Sequence, residues 1–440
     1  MKHWGVCLLG ISMSCNSAAP NPVGPEVSAS AVGTGTSSAS PSTSMSTTEP
    51  KQETPTKAGP TTFADDLAFL QQHGEVVLLK SPGGGQVAVS PTYQGRVMTS
   101  AVEPDGQSLG FVHRAFIEAK KTGTQFDNYG GEDRFWLGPE AGQFGLYFPK
   151  GTPFTIANWK TPDAFQVGAW KPTQQTEDKV VFQQPMKLEN YSGSQFELNV
   201  ARTVRLLPES EVFVRLVPNS KGPPPGVKWV AFETEHNLKN TGKNAWTESS
   251  GLLSIWILGM YNPSPDTRVV IPFDATGKGE VVNDRYFGKV PAERLRIDEK
   301  AGVLFFSADG QHRSKIGLSS TRARQFAGSY SAAARLLTVI QLAPPPKPGA
   351  PYVNSMWEQQ KEPFKGDVIN SYNDGPTEPG KPSLGGFYEL ESSSQAIKAG
   401  ANGSAYHVHR TFHFVGEASA LDPIAKATLG VTIAEITASK

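Results

Sequence analysis

Residues 366–414 read GDVINSYNDGPTEPGKPSLGGFYELESSSQAIKAGANGSAYHVHRTFHF. Two β-rich runs lie in this stretch, at 386–391 and 407–414. Successive side chains of a strand point to opposite faces of its sheet. Glu389 and Glu391 therefore share a face, with Cα atoms roughly 6.5–7 Å apart. By the same rule His407, His409 and His413 share a face of the second run. Asn373-Asp374-Gly375 ahead of them is a turn signal in its own right.

Strand-like runs continue outward from this window. They lie at 75–80, 86–89, 95–102, 179–183, 196–207, 212–217, 228–238, 252–260, 268–272, 302–307, 315–319 and 335–342. Gly and Pro turns separate many of them. Helical windows are few. One opens at Thr62 as N-cap, with Phe63, Leu67 and Leu70 at helical spacing, Asp65 and Asp66 in the first turn, and Gly74 at the end. The 44 glycines and 35 prolines exceed the usual combined share of ~12% and favour a turn-rich all-β protein. With no fixed-period repeat and no Pro/Ser-rich linker after residue 75, one large β-sandwich is expected for residues 61–440, with few short helices.

The charges balance, with 41 Lys+Arg against 41 Asp+Glu. That argues against a nucleic-acid partner, which calls for a basic footprint. The two cysteines, Cys7 and Cys15, lie in the first 15 residues. The remainder has no disulfide framework, thiolate metal site or cysteine nucleophile.

Residues 1–15 have a positive start at Lys2 and a short apolar run, the pattern of an export signal. Ser14-Cys15 resembles the end of a bacterial lipobox, which makes Cys15 the expected lipidation site. Residues 16–60 are rich in Ser, Thr, Pro, Ala and Gly and cannot bury enough apolar surface to fold. As a coil they span roughly 35–40 Å. The expectation is a membrane-anchored lipoprotein of the bacterial cell envelope, facing the periplasm or the cell surface.

Several segments together resemble the galactose mutarotase-like (aldose 1-epimerase-like) superfamily. They are Gln86-Val-Ala-Val-Ser-Pro-Thr-Tyr-Gln-Gly-Arg, Tyr129-Gly-Gly-Glu-Asp-Arg-Phe-Trp-Leu-Gly-Pro-Glu, Phe232-Glu-Thr-Glu-His-Asn-Leu-Lys-Asn-Thr-Gly and Phe387-Tyr-Glu-Leu-Glu-Ser-Ser-Ser. Within it, GGEDRFWLGPE, WILGMYNPSP, DVINSYNDG and HVHRTFHF resemble one bacterial family of unknown function. The resemblance covers roughly residues 75–435. It implies a large antiparallel β-supersandwich with a sugar-sized cleft, no cofactor, and a sugar or uronic acid as ligand. Mutarotases of that superfamily open a sugar hemiacetal with a Glu base and a His acid. The glutamate carries over as Glu391 or Glu389. The region corresponding to the histidine reads Leu253-Ser-Ile-Trp-Ile-Leu-Gly-Met-Tyr-Asn, with no histidine.

The candidate residues follow from this. Glu389 and Glu391, in a dry cleft, suit a general base, because desolvation and each other's charge raise a carboxyl pKa. On a solvated face they would be ordinary salt-bridge partners. His407 and His409 are candidates for the proton donor, for sugar contacts or for a metal with Glu391 or Asp367; otherwise they are hydrogen-bonded strand histidines. Arg134 and Trp136 offer a fork and a platform for a sugar, with Glu132 beside them, or else belong to a buried ion pair among core aromatics. Asp367 and Asn370 offer paired donors and acceptors for hydroxyls. Lys315 either contacts an anionic sugar or sits at the surface. A non-catalytic glycan-binding or structural envelope lipoprotein is the other class this sequence fits.

Overall fold

In the computed structural model, residues 61–439 are described, apart from Thr124 and Pro218. The signal, the tether and Cys15 lie outside the described residues.

Two antiparallel sheets make the body. The larger has ten strands, in the order Leu295–Asp298, Val303–Ser307, Arg268–Pro272, Phe326–Ser331, Leu336–Ala343, Ser404–Val415, Lys228–Asn240, Gln195–Leu206, Lys179–Glu189 and Pro172–Gln175. The smaller has five: Ser314–Ser319, Asp367–Asn373, Tyr388–Ser393, Ser254–Tyr261 and Arg134–Gly138. A three-stranded sheet, Val77–Lys80, Gln86–Ser90 and Arg96–Ala101, forms separately. The architecture is the β-sandwich with few helices that the sequence pattern calls for, in the antiparallel form that the resemblance implies.

Alternation decides how the five-stranded sheet is used. Phe135, Leu137, Ile255, Ile257, Ile316, Leu318, Ile369 and Leu390 are buried in the sandwich core, where Phe232, Ile340 and Leu342 of the large sheet meet them. The residues between them in sequence lie on the opposite face. Cross-strand pairing aligns Tyr372 with Glu389 and Met260, and Asn370 with Glu391 and Leu258; Leu258 pairs in turn with Arg134. The polar groups of five strands thus meet on one outer face.

The large sheet's far face is covered by helices. Phe412, Phe414, Leu337 and Val339 pack there with Leu421, Ile424 and Leu429 of helix Ala418–Leu429 and with Ile433 and Ile436 of helix Ile433–Thr437. The N-terminal helix runs Phe63–His73, with the Thr62 side chain accepting from Asp65 N–H, as its cap signal requires.

Two local expectations are corrected. Residues 212–217, read as a strand, lie in helix Glu209–Leu216 and its C-cap. Val212, Phe213 and Leu216 are buried on one helical face, whereas Val214 is 68% exposed, so the apparent alternation of Val212, Val214 and Leu216 was coincidental. Acidic Glu209 and Glu211 in the first turn and Arg215 in the last favour the helix dipole. Asn373-Asp374-Gly375, read as a turn, instead ends strand Asp367–Asn373 and runs on as irregular chain. Asn373 there accepts Gly310 N–H and donates to the His312 carbonyl.

Candidate functional site

On the outer face of the small sheet lies a cavity of about 190 Å³. Its walls are largely aromatic: Trp136, Trp159, Trp256, Trp357, Phe126 and Phe287. Trp136 and Trp256 come from neighbouring strands, where they pair directly and their rings meet edge to face at 5.7 Å. Trp159 and Trp357 come from loops, and their rings stack across 6.5 Å. Apolar walls give a ligand area to bury, and few polar groups are needed to orient it.

The charged groups are Arg134, Arg313, Lys315, Glu140 and Glu389. Arg134 Nη2 pairs with Glu389 Oε1, both side chains nearly inaccessible. The guanidinium also lies 4.3 Å over Trp136. Burial pushes the Glu389 carboxyl up to about 7, against the pull of Arg134 and with the help of the Glu391 charge. Such a group is half charged near neutrality, the condition for moving a proton both ways.

Glu391 sits one step deeper, fully buried. Its Oε2 accepts from Trp256 Nε1 at 2.8 Å and from Lys315 Nζ at 2.9 Å. Burial alone would lower the Lys315 pKa, but the Glu391 and Glu140 carboxylates outweigh it and hold it above the usual lysine value. Lys315 is therefore a fixed ammonium, and it lies 4.8 Å over Trp256. Glu140 is pushed up by burial, an effect that Lys315 partly offsets.

The structure thus gathers Arg134, Trp136, Lys315 and Glu389 in one cavity, with Glu391 beneath. Asp367 and Asn370 line a small polar void of about 10 Å³ that shares Lys315 and Trp256 with the main cavity, enough for about one water. Tyr286 Oη donates to Asp367 at 2.6 Å, and Asn370 Nδ2 donates to that hydroxyl at 3.1 Å.

Three candidates lie elsewhere. His407 and His409 project into the layer between the sheets, where their rings both meet Ser392 Oγ at 2.9 Å. Burial holds their pKa values down at about 3 and about 4, so both rings are neutral. Glu132 is fully buried against His413 Nε2 at 2.8 Å, and Thr338 holds the other ring nitrogen. Parity correctly puts the histidines on one face, but it cannot tell which face looks inward. Among the described residues no group of three or more His, Cys, Asp or Glu side chains is arranged to hold a metal ion.

Sequence reading missed Trp159, Trp256, Trp357, Glu140 and Arg313. Trp256 had a usable signal, since its parity matches Leu258 across from Glu391. The loop residues had none, because their approach to the sheet depends on chain paths that no local pattern encodes.

An antiparallel β-supersandwich with an aromatic cavity and paired carboxylates on the outer face of one sheet defines the class of this protein. The chain belongs to the family of unknown function DUF6786, which it matches over residues 61–440. Among curated proteins none matches it. Solved structures similar to it include a candidate aldose 1-epimerase from Escherichia coli K12, with 13% identity and a TM-score of 0.46 over 77% of this chain and 98% of that one. A galactose mutarotase-like protein from Lactobacillus casei has 9% identity and a TM-score of 0.42 over 77% of this chain and 100% of that one.

Proposed function

We propose that this chain is an exported carbohydrate-binding protein that holds a sugar or uronic acid in the aromatic cavity and interconverts its anomers with Glu389 as base. The observation that carries the reading is a carboxyl poised at about 7 inside an aromatic-walled cavity. Glu389, rather than Glu391, takes the base role, because Glu389 lines the cavity and Glu391, held at Oε2 by Lys315 and Trp256, is not among the lining residues.

In the proposed reaction Glu389 removes the proton of the anomeric hydroxyl. The C1–O bond to the ring oxygen breaks as the new carbonyl forms, and water protonates the former ring oxygen, leaving a hydroxide that takes this proton back when the ring recloses. Rotation about C1–C2 and the reverse steps give the other anomer. Lys315 supplies positive charge where the ring oxygen gains electron density, as a fixed hydrogen-bond donor.

Magnetisation-exchange NMR on an aldose panel tests this. The exchange rate is expected to rise with pH through about 7, because the base works only when deprotonated. A rate equal to buffer alone would leave the second reading, a non-catalytic glycan-binding lipoprotein. That reading is favoured by the Arg134 ion pair, which ties up Glu389, and by the lack of histidine among the residues lining the cavity.

Export and anchoring belong to the same proposal and rest on residues 1–60. Mass spectrometry of the mature protein is expected to find a lipidated Cys15 at its N-terminus. An unmodified start at another residue would refute the anchor.

A further inference from the structure

One of the three cations lining the cavity has no ion-pair partner among the described residues. Arg134 is matched by Glu389 and Lys315 by Glu391. Glu140, the remaining acid lining the cavity, is within ion-pair distance of no cation among the described residues. Arg313 is matched by nothing: among the described residues it has no carboxylate within ion-pair distance. Its guanidinium lies 3.7 Å over the Phe287 ring, and its Nε is buried without a hydrogen-bond partner. Asp374, which acts on Tyr372 together with Arg313, is already satisfied. It accepts the N–H groups of Leu384, Gly385 and Gly386 and the Tyr372 hydroxyl.

Stacking fixes the plane of a guanidinium and leaves its edge free for planar, two-pronged recognition of an anion. Arg313 precedes strand Ser314–Ser319 and stands two residues from Lys315, so both reach the same cavity.

Resting on the carbohydrate reading above, we infer that the physiological ligand is a sugar acid whose single carboxylate is bound by Arg313. A stacked guanidinium without an ion-pair partner suits a single carboxylate. A phosphate monoester, with a charge of about −1.5 to −2 at neutral pH, would bring surplus negative charge beside Glu389 and Glu140.

Calorimetry with residues 61–440, which include every element described above, tests this with glucuronate, galacturonate, glucose, galactose and glucose 6-phosphate. At least one uronate is expected to bind about 10–100-fold tighter than its neutral counterpart, the range for a hydrogen-bonded charge pair. Arg313→Gln is expected to close that gap by weakening the uronate. Arg313→Lys, which keeps the charge but not the fork, should recover only part of it. A trimer of the preferred uronic acid separates sources: tighter binding than the monomer assigns a polymer end, weaker binding a free sugar acid, and both support carboxylate recognition. Equal affinity for neutral sugar and uronate, an unchanged gap in Arg313→Gln, or preference for the phosphate would overturn the inference while leaving carbohydrate binding intact. Silence across all five ligands would overturn both.

Discussion

Glu389→Gln is expected to lower anomer exchange by about 10²–10⁴-fold, the usual contribution of a positioned acid or base, while sugar affinity changes only a few-fold. Glutamine keeps the volume of the side chain and can still accept from Arg134, so the cavity keeps its shape and loses only the proton acceptor. Glu391→Gln is the informative contrast. It removes the charge that pairs with Lys315, not a group lining the cavity, and its effect should fall on Lys315. If the two variants lose the same activity at every pH, the separation of roles is wrong. If Glu389→Gln keeps wild-type exchange, the base assignment is lost.

The same carboxyl has a stability signature. Its folded pKa is raised from the ordinary value to about 7, so between those pH values the folded state holds a proton that the unfolded chain has released. The folded state binds more protons there, and stability contributed by this group falls as pH rises through that window. Urea titrations should show this fall in the wild type, and Glu389→Gln should flatten it.

The largest loss of stability is expected at Arg202. It is fully buried and donates to Asp133 Oδ1 at 2.7 Å and to the Gly95 carbonyl at 2.9 Å. It also meets the His236 ring. Asp133 is equally buried, with Thr234 Oγ1 donating to its other oxygen at 2.7 Å. Arg202→Met leaves that carboxylate without its cation, and removing one partner of a buried pair costs about 3–5 kcal/mol. The double variant Arg202→Met, Asp133→Leu should regain much of the loss, since the penalty is the stranded charge. A single-variant loss under about 1 kcal/mol, the scale of an exposed pair, would mean that water reaches Asp133.

What could be read from the chain alone follows the physics of each segment. Strands with one wet and one dry face announce themselves by alternation, and Lys179–Glu189 and Gln195–Leu206 did. Arg134–Gly138 did not, because all five residues are buried and no polar face marks it. Spacing placed Glu389 and Glu391 on a common face, yet it could not foresee that Lys315, from two strands away, would engage only one of them. The aromatic walls were least legible, since Trp159 and Trp357 owe their place to loops folding back over the sheet.

The shared Ser392 hydroxyl carries one further implication. A hydroxyl has a single proton to give, yet two neutral imidazoles sit against it. At least one ring must therefore be the giver, and the tautomer of His407 constrains that of His409. The hydroxyl proton can serve only one of the two rings, so this contact between the sheets fixes the tautomer of at least one imidazole.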